Sequence, residues 1–196
     1  MNIDKAVLDW YSDPANWQPH EPGAGDFDNS LLDIAKMIEA KHILNIGCFY
    51  PNTELNYAHL ANSWLAIDFS TEVIIKCKLM KAIEPYVDFL NIDIRTMSPY
   101  PRAFETVLDF SSGDHLIYDD YVIMLKNVSN IIRHGGYFVT TYANLDYFDS
   151  PEAFGQWGYE RRIHSADLIE LIKMYGFTIE RNENKSSRSG VVARKI

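Results

Sequence analysis

The spacing of hydrophobic residues in this 196-residue chain changes near residue 42. Before that point, apolar residues recur at helical intervals over residues 31–38, which predicts an amphipathic helix. A shorter helix is predicted over residues 6–11, because the Pro14 that follows disfavours helix in the residue before it. We therefore expect residues 1–40 to form a helical preface to the main domain.

From His42 onward, short apolar runs alternate with helical stretches. Alternating strands and helices of this length form a parallel sheet with helices on both faces. The last helix of the series is expected to end in a glycine cap at Gly135 and Gly136. The predicted strands are 43–46, 64–67, 87–92, 105–110 and 137–142, and the predicted helices lie near 53–62, 71–83 and 118–133.

The last part of the chain breaks this alternation. A helix that begins at Ser165 is followed by two apolar runs, 177–180 and 191–193, with no helix between them. A parallel return needs a long crossover, so these two strands are expected to pair antiparallel as a hairpin. The basic residues here are expected to lie on a solvated edge strand: Arg181, Lys185, Arg188, Arg194 and Lys195.

The composition indicates one folded domain that does not bind nucleic acid. Hydrophobic residues make up 47% of the chain and aromatic residues 13%. Lys and Arg number 18 against 27 Asp and Glu, a net charge of −9 that repels phosphate backbones. No apolar run reaches membrane-spanning length and the N-terminus lacks a signal-peptide pattern, so a cytoplasmic protein without a membrane partner is expected. Cys48 and Cys77 have no metal-ligand spacing; no metal is expected, and both thiols are expected to be buried.

A glycine turn and a carboxylate mark the ends of the first two predicted strands. Residues 43–46 lead into Gly47, and the second strand ends at Asp68. In βαβ folds this pairing binds an adenosine-type cofactor, with the carboxylate on the ribose diol. Phe49 and Pro51 stand where a dinucleotide fingerprint would place further glycines, and both obstruct the amides that a pyrophosphate needs. An NAD-linked oxidoreductase is therefore disfavoured.

The order of these motifs resembles the class I methyltransferases that use S-adenosylmethionine. The resemblance covers residues 40–196. It implies an α/β fold with a doubly wound, mostly parallel seven-stranded sheet, a C-terminal antiparallel hairpin, and S-adenosylhomocysteine as product. The motifs that carry it are Ile43-Leu44-Asn45-Ile46-Gly47, Ala66-Ile67-Asp68, Leu90-Asn91-Ile92-Asp93, Val107-Leu108-Asp109-Phe110 and His134-Gly135-Gly136-Tyr137-Phe138.

The resemblance implies roles for the residues near the first two strands. Gly47 would let the turn approach the methionine end of the cofactor. Asp68 would accept hydrogen bonds from the ribose hydroxyls, with Phe69 beside it. The alternative for Asp68 is a helix N-cap, although Ser70 already suits that position.

Two further motifs receive roles in the same way. Asp93 would accept from the adenine amino group while the Ile94 backbone contacts the ring, the alternative being a turn-forming acid at a strand end. Asp109 and Phe110 would lie beneath the transferred methyl group.

The first turn departs from the family pattern at two positions. The family usually has an acid two residues before the first glycine, where this chain has Asn45. Its amide oxygen can accept from the cofactor's ammonium, without the charge of a carboxylate. Phe49 is expected to line the cofactor in place of the second glycine. S-adenosylmethionine carries no phosphates, so the lost amides matter less to it than to NAD.

Methyl transfer needs the acceptor to be positioned and, for some acceptors, deprotonated. His115 is the candidate general base, because an imidazole titrates near neutrality. Asp114 would orient His115 or act in its place. The alternative is structural: Asp114 caps the helix that begins near Tyr118, with His115 packed beneath it.

The acceptor is expected to be a small molecule. No Asn-Pro-Pro-Tyr run follows the fourth strand, which argues against enzymes that methylate DNA bases. An insert, residues 143–164, interrupts the core of residues 41–196 and is expected to form a lid together with the preface. The alternative is that its aromatic residues only attach the lid to the body. The residues concerned are Trp10, Tyr11, Trp17, His20, Tyr142, Tyr147, Phe148, Phe154, Trp157, Tyr159, Arg161 and Arg162.

The sequence thus predicts a single-domain enzyme that transfers a methyl group from S-adenosylmethionine to an oxygen or nitrogen of a small molecule. The alternative is a non-catalytic, methyltransferase-like binding or scaffold subunit. The oligomeric state stays open, with a homodimer as one option.

Overall fold

The computed structural model describes residues 13, 34–49, 51–80, 85–97, 103–155, 158–184 and 187–196. The predicted helix over residues 6–11 and most of the preface lie outside these residues. The strands are β1 (His42–Ile46), β2 (Ser63–Asp68), β3 (Val87–Asn91), β4 (Phe104–Phe110), β5 (Ile132–Asn144), β6 (Glu152–Gly155), β7 (Gly158–Ile163), β8 (Phe177–Glu183) and β9 (Arg188–Lys195). The helices are α1 (Ile34–Ile38), α2 (Asn52–Tyr57), α3 (Thr71–Lys78), α4 (Tyr118–Ile131) and α5 (Ser165–Met174), with 3-10 turns at Ala58–Leu60, Gly113–His115 and Leu145–Tyr147.

The strands form one mixed sheet that confirms the predicted fold class. Strands β3, β2, β1, β4 and β5 lie side by side in that order and are parallel. Strand β9 then pairs antiparallel with β5, and β8 pairs antiparallel with β9, as expected for a terminal hairpin. These seven strands are the predicted core.

Two further strands bring the described sheet to nine. They come from the insert of residues 143–164, in which β6 and β7 form an antiparallel hairpin. Strand β7 pairs in parallel with the last two residues of β5, Ala143 and Asn144. The insert is therefore attached to the sheet through the end of β5.

Helices pack on both faces of the sheet, because successive strand residues face opposite sides. On one face, Leu44 and Val107 pack with α4 and α5. On the other face, Ile43 and Leu108 pack with α1 and α3, and the buried Cys48 and Cys77 lie in this second core. No helix within the described ranges is long and apolar enough to cross a membrane.

The ends of two helices test the predicted caps. The Ser70 side chain accepts from Val73 N at 3.3 Å, so Ser70 caps α3 as expected. The predicted glycine cap of α4 is wrong. That helix ends at Ile131, and the extended Ile132 begins β5 by pairing with Phe104. The chain enters the sheet directly, so no left-handed residue is needed there.

The turns that follow β1 and β4 are interlocked. Ser112 Oγ lies 2.6 Å from the Ile46 carbonyl oxygen and 2.8 Å from Asp109 Oδ1. Gly47 has φ +66°, and a Cβ at this position would overlap Ser112 Cβ and lie 2.5 Å from its Oγ. Gly47 is therefore required by the neighbouring protein turn, independently of any ligand.

A buried carboxyl group lies on the α3 side of the sheet. Glu54, in α2, is 1% exposed, and its Oε1 accepts from Asn45 Nδ2 at 2.6 Å and from Trp64 Nε1 at 3.2 Å. Burial raises the pKa of Glu54 to about 7, and these two hydrogen bonds offset the rise only in part. The group is thus near the midpoint of its titration at neutral pH.

We expect Gly47→Ala to destabilise the protein much more than Gly135→Ala. Both glycines have positive φ, which costs an L-residue about 1–2 kcal/mol. Only Gly47 adds overlap with Ser112, worth about 1–3 kcal/mol more, since at Gly135 the nearest atoms are Arg194 side-chain nitrogens at 3.7 and 3.9 Å. Urea unfolding of both variants measures the difference. Equal losses of unfolding free energy would contradict the interlocked turns.

We expect Glu54→Gln to make the free energy of unfolding less dependent on pH. The folded-state pKa of about 7 lies above the ordinary value, so the folded protein holds a proton that the unfolded chain loses. Stability from this group is therefore full below pH ~4 and falls as pH rises through 7, by about 3 kcal/mol in all. Urea unfolding at pH 5 and pH 8 tests this. The exposed Glu170, changed to Gln, serves as control and should leave the wild-type slope unaltered.

Candidate functional site

The carboxyl ends of β1, β2 and β4 meet at one edge of the sheet. Ile46 lies opposite Ile67 of β2 on one side and Asp109 of β4 on the other. The turn after β1 is held to β2, because Gly47 N and Cys48 N donate to the Ile67 carbonyl at 2.8 and 3.1 Å. The strand order reverses between β1 and β4, and ligands of open α/β sheets bind at such a switch point.

Asp68 connects the first two turns. Its carboxylate is 5% exposed and accepts from Ser70 N at 2.9 Å and from Phe49 N at 3.3 Å. Burial raises the pKa of Asp68 to about 6, and the two N–H donors oppose the rise. A carboxylate has about four acceptor positions, so two remain for other donors. The helix cap next to it is Ser70, so the N-cap alternative for Asp68 does not apply.

An aromatic cluster lies at the same edge. Phe49, with φ +28°, and Phe69 pack with Ile117 against the buried Tyr159 of β7. Both phenylalanines are candidate cofactor-binding residues, and Tyr159 brings the β6–β7 hairpin into contact with them. The role of the insert as a lid over this edge stays a prediction.

The loop after β3 holds Asp93 and Ile94. Arg95 binds the Asp93 carboxylate through Nε and Nη2, the shortest contact being 2.7 Å, and Arg95 N donates to Asp93 Oδ1 at 2.9 Å. Arg95 also reaches Asp120 of α4 at 2.5 Å. Asp93 therefore also acts as a turn-forming acid, and its contact with adenine stays a prediction. Ile94 is buried, and its carbonyl accepts from Asn127 at 2.7 Å.

Asp109 and Phe110 end β4. Asp109 is fully buried, and its oxygens accept from Gly113 N at 2.9 Å and Thr140 Oγ1 at 3.0 Å, besides the contact with Ser112. Burial raises its pKa and these donors lower it. Asp109 thus supports the edge from below, whereas Phe110 is only partly buried. Their place beneath a methyl group stays a prediction.

Asp114 lies beneath Arg188, which was expected on a solvated edge strand. Asp114 is 1% exposed and accepts from Ala143 N at 3.1 Å and from Arg188 Nη1 at 2.5 Å. Arg188 also reaches Glu160 of β7 at 2.5 Å. Burial raises the pKa of Asp114 to about 7, and Arg188 opposes the rise. Asp114 does not cap α4, whose N-cap is Ile117 without a side-chain bond.

His115 has a defined tautomer. Its Nδ1 lies 2.6 Å from the Tyr159 carbonyl oxygen, an acceptor, so Nδ1 carries the proton and Nε2 the lone pair. Burial lowers the pKa of His115 to about 4, which keeps the ring neutral at pH 7. Ser111, before this segment, has φ +64°, and such backbone strain concentrates at functional sites.

The hairpin is attached to this segment by a second arginine. Arg161 is 4% exposed and donates to the carbonyls of Leu116 and Gly113, both at 3.2 Å. Its guanidinium lies 4.2 Å from the centre of the Tyr121 ring. Arg161 is therefore an internal contact of the lid, and this favours the alternative in which such residues attach the lid to the body. Among the described residues, no cluster of three or more His, Cys, Asp or Glu could hold a metal.

Comparisons with known proteins bear on this arrangement. No protein-family model matches the chain. A fatty-acid O-methyltransferase from Mycolicibacterium smegmatis (strain ATCC 700084 / mc(2)155) is 28% identical over 137 residues, 68% of this chain. The match covers 46% of that protein, so the chain spans about half the length of the curated relative it matches.

Solved structures extend the likeness to the whole fold. The N-methyltransferase NodS from Bradyrhizobium japonicum WM9, solved with S-adenosylhomocysteine, has a TM-score of 0.74 at 14% identity and covers 100% of this chain and 99% of its own. The [4+2]-cyclase SpnF has a TM-score of 0.71 at 16% identity, covering 85% and 78%. At these identities the likeness concerns the fold. The resemblance found in the sequence is confirmed at that level: this chain has the class I, Rossmann-like methyltransferase fold.

Proposed function

We propose that this protein binds S-adenosylmethionine at the carboxyl edge of β1, β2 and β4 and transfers its methyl group to an oxygen or nitrogen of a small molecule. The observation that carries the proposal is the joined pair of turns at this edge. Phe49 N donates to Asp68 Oδ2, so the glycine turn and the strand-end acid already form one unit within the methyltransferase fold.

The residues present suit the cofactor. Asp68 keeps two acceptor positions for a ribose diol, and with a pKa of about 6 it is mostly ionised at neutral pH. Phe49 and Phe69 offer apolar surface for the adenosine part. When bound, the cofactor would supply the activated methyl group, and the protein's contribution is to position the acceptor and exclude water.

Acid–base chemistry at the site is limited to weak bases. The lone pair of His115 is on Nε2, and its low pKa makes it a weak base that is available at every pH above about 5. Asp114 is engaged by Arg188 and serves to hold the segment in place. We assign His115 as the base, oriented by the Tyr159 carbonyl, whereas Asp114 binds Ala143 N and Arg188.

A groove beside the hairpin bears on the size of the acceptor. This open groove of about 430 Å³ lies between the hairpin and α5 and shares Tyr159 with the aromatic cluster. Small-molecule sites typically enclose about 300–1,000 Å³. The relative named as a fatty-acid O-methyltransferase agrees with an acceptor of this class.

The second candidate is a methyltransferase-like protein that does not transfer methyl groups. It is favoured by the first turn, where Phe49 replaces a glycine, and by the cyclase SpnF, which has the same fold. Calorimetric titration with S-adenosylmethionine and S-adenosylhomocysteine separates the two. Saturable binding followed by turnover supports the enzyme, whereas no heat at millimolar ligand contradicts it.

We expect Asp68→Asn to weaken S-adenosylhomocysteine binding by about 1.5–3 kcal/mol, the size of a lost charged hydrogen bond. Ser70 N and Phe49 N bind different oxygens of Asp68, so the single amide oxygen of Asn keeps one of these two bonds, and the other is lost together with the charge. Asp88→Asn, at an exposed position of β3, is the matched control and should bind as wild type. An unchanged affinity in Asp68→Asn would remove this residue from the site.

We expect His115→Ala to lower kcat by about 10²–10⁴-fold, the usual contribution of a general base. At saturating cofactor, kcat of the wild type should stay level above pH 5 and fall as pH drops through about 4, because protonation removes the lone pair. The exposed His164, which bonds Asp146 at 2.6 Å, is the control when changed to Ala. Turnover of His115→Ala equal to wild type would show that this ring is not the base.

A further inference from the structure

A pair of buried polar side chains lies directly behind the glycine turn. Asn45 stands two residues before Gly47 at the end of β1, and Glu54 belongs to α2, the helix that follows the turn. They are 4% and 1% exposed, and Asn45 Nδ2 donates to Glu54 Oε1 at 2.6 Å. The helix therefore places a carboxyl group against the position where the family usually carries its acid.

Two acceptor atoms of this pair have no hydrogen-bond partner among the described residues: Asn45 Oδ1 and Glu54 Oε2. Buried acceptors without donors are costly, and native proteins rarely leave them so. Both atoms are oxygens and one belongs to a carboxyl group, so the missing partner is a donor, best a cationic one. A nitrogen cation of a ligand at the turn meets this need.

The described groups around Glu54 do not supply that cation. Trp64 Nε1, from β2, donates to Oε1 at 3.2 Å and is neutral. Among the described residues, Cys48, from the turn, and Asp68, at the end of β2, are titratable groups nearby; the Cys77 thiol and burial keep the pKa of Cys48 well above its usual value. No lysine or arginine of the described ranges contributes to the pKa of Glu54.

We propose that Glu54 is the counter-charge for the ammonium group of the cofactor's amino-acid tail, replacing from α2 the acid that β1 lacks at Asn45. This assignment rests on the proposed function. Glu54 acts together with Asn45, whose free amide oxygen accepts from the same ammonium. The carboxyl group is thus supplied nine residues later in the sequence than the family's usual acid, but at the same place in the fold.

Proton release follows from this assignment. Before binding, Glu54 is about half protonated at pH 7, because burial raises its pKa to about 7. A bound ammonium favours the charged carboxylate and so expels the proton. Ligand affinity should therefore rise between pH 6 and pH 8, and binding at pH 7 should release up to about half a proton.

The test compares two ligands in wild type and Glu54→Gln. S-adenosylhomocysteine carries the ammonium, whereas 5′-methylthioadenosine lacks the whole amino-acid tail. We expect Glu54→Gln to weaken S-adenosylhomocysteine about tenfold or more and to leave 5′-methylthioadenosine unchanged within about twofold. Calorimetry in two buffers of different ionisation enthalpy should show that the variant releases less proton than wild type.

A double variant provides the rescue. Asn45→Asp combined with Glu54→Gln returns the acid to β1 and keeps one carboxyl and one amide in the pair. It should restore the affinity for S-adenosylhomocysteine toward that of wild type. Glu54→Asp keeps the charge on a shorter side chain and replaces Glu54→Gln if that variant fails to fold. Binding of S-adenosylhomocysteine to Glu54→Asp should still release protons.

The outcomes separate this assignment from the proposed function. If wild type binds neither ligand, both are contradicted. If S-adenosylhomocysteine binds wild type and Glu54→Gln equally, or if the variant weakens both ligands alike, Glu54 is only a structural residue and the assignment alone is wrong. A double variant that binds no better than Glu54→Gln also overturns it.

Discussion

The buried carboxylate of Asp109 organises the edge on which the site depends. Its two oxygens accept from the backbone of Gly113 and from the hydroxyls of Ser112 and Thr140. Ser112 in turn lies within hydrogen-bond distance of the Ile46 carbonyl, and its side chain occupies the space that a Cβ on Gly47 would need. The carboxyl group of Asp109 and the Ser112 hydroxyl beside it thus join three strands, β4, β5 and β1, at the ends where a ligand would bind. Buried polar groups are stable when hydrogen bonds of this kind satisfy them.

The β6–β7 hairpin is connected to this edge by contacts of two types. Arg161 donates to backbone carbonyls of the segment after β4, and Arg188 bridges Asp114 to Glu160. Tyr159 adds apolar contact with both turns of the predicted cofactor site. Arg161 binds backbone carbonyls, so the hairpin is positioned in part by the shape of the loop beneath it. The candidate cofactor site and the β6–β7 hairpin are consequently parts of one connected structure.

Much of this architecture could be predicted from local patterns. The alternation of strands and helices, the glycine turn at Gly47 and the strand-end Asp68 depend on short-range spacing, which a sequence displays directly. The hairpin of the insert could not be predicted, because β7 is held by two residues at the end of β5, a pairing that only the folded sheet creates. Arg188 was misplaced for the same reason: its partners Asp114 and Glu160 are distant in sequence. Glu54 gave no signal either, since a glutamate in a helix is usually exposed.

The His115 ring is held by a main-chain atom of the β6–β7 hairpin. The acceptor for Nδ1 is the carbonyl of residue 159, a main-chain atom that every amino acid provides. The position of the imidazole proton is therefore independent of the side chain at that place. The hairpin can exchange its side chains, and with them the shape of its surface, while the tautomer of the histidine stays the same. Surface shape and tautomer are thus set by different parts of residue 159.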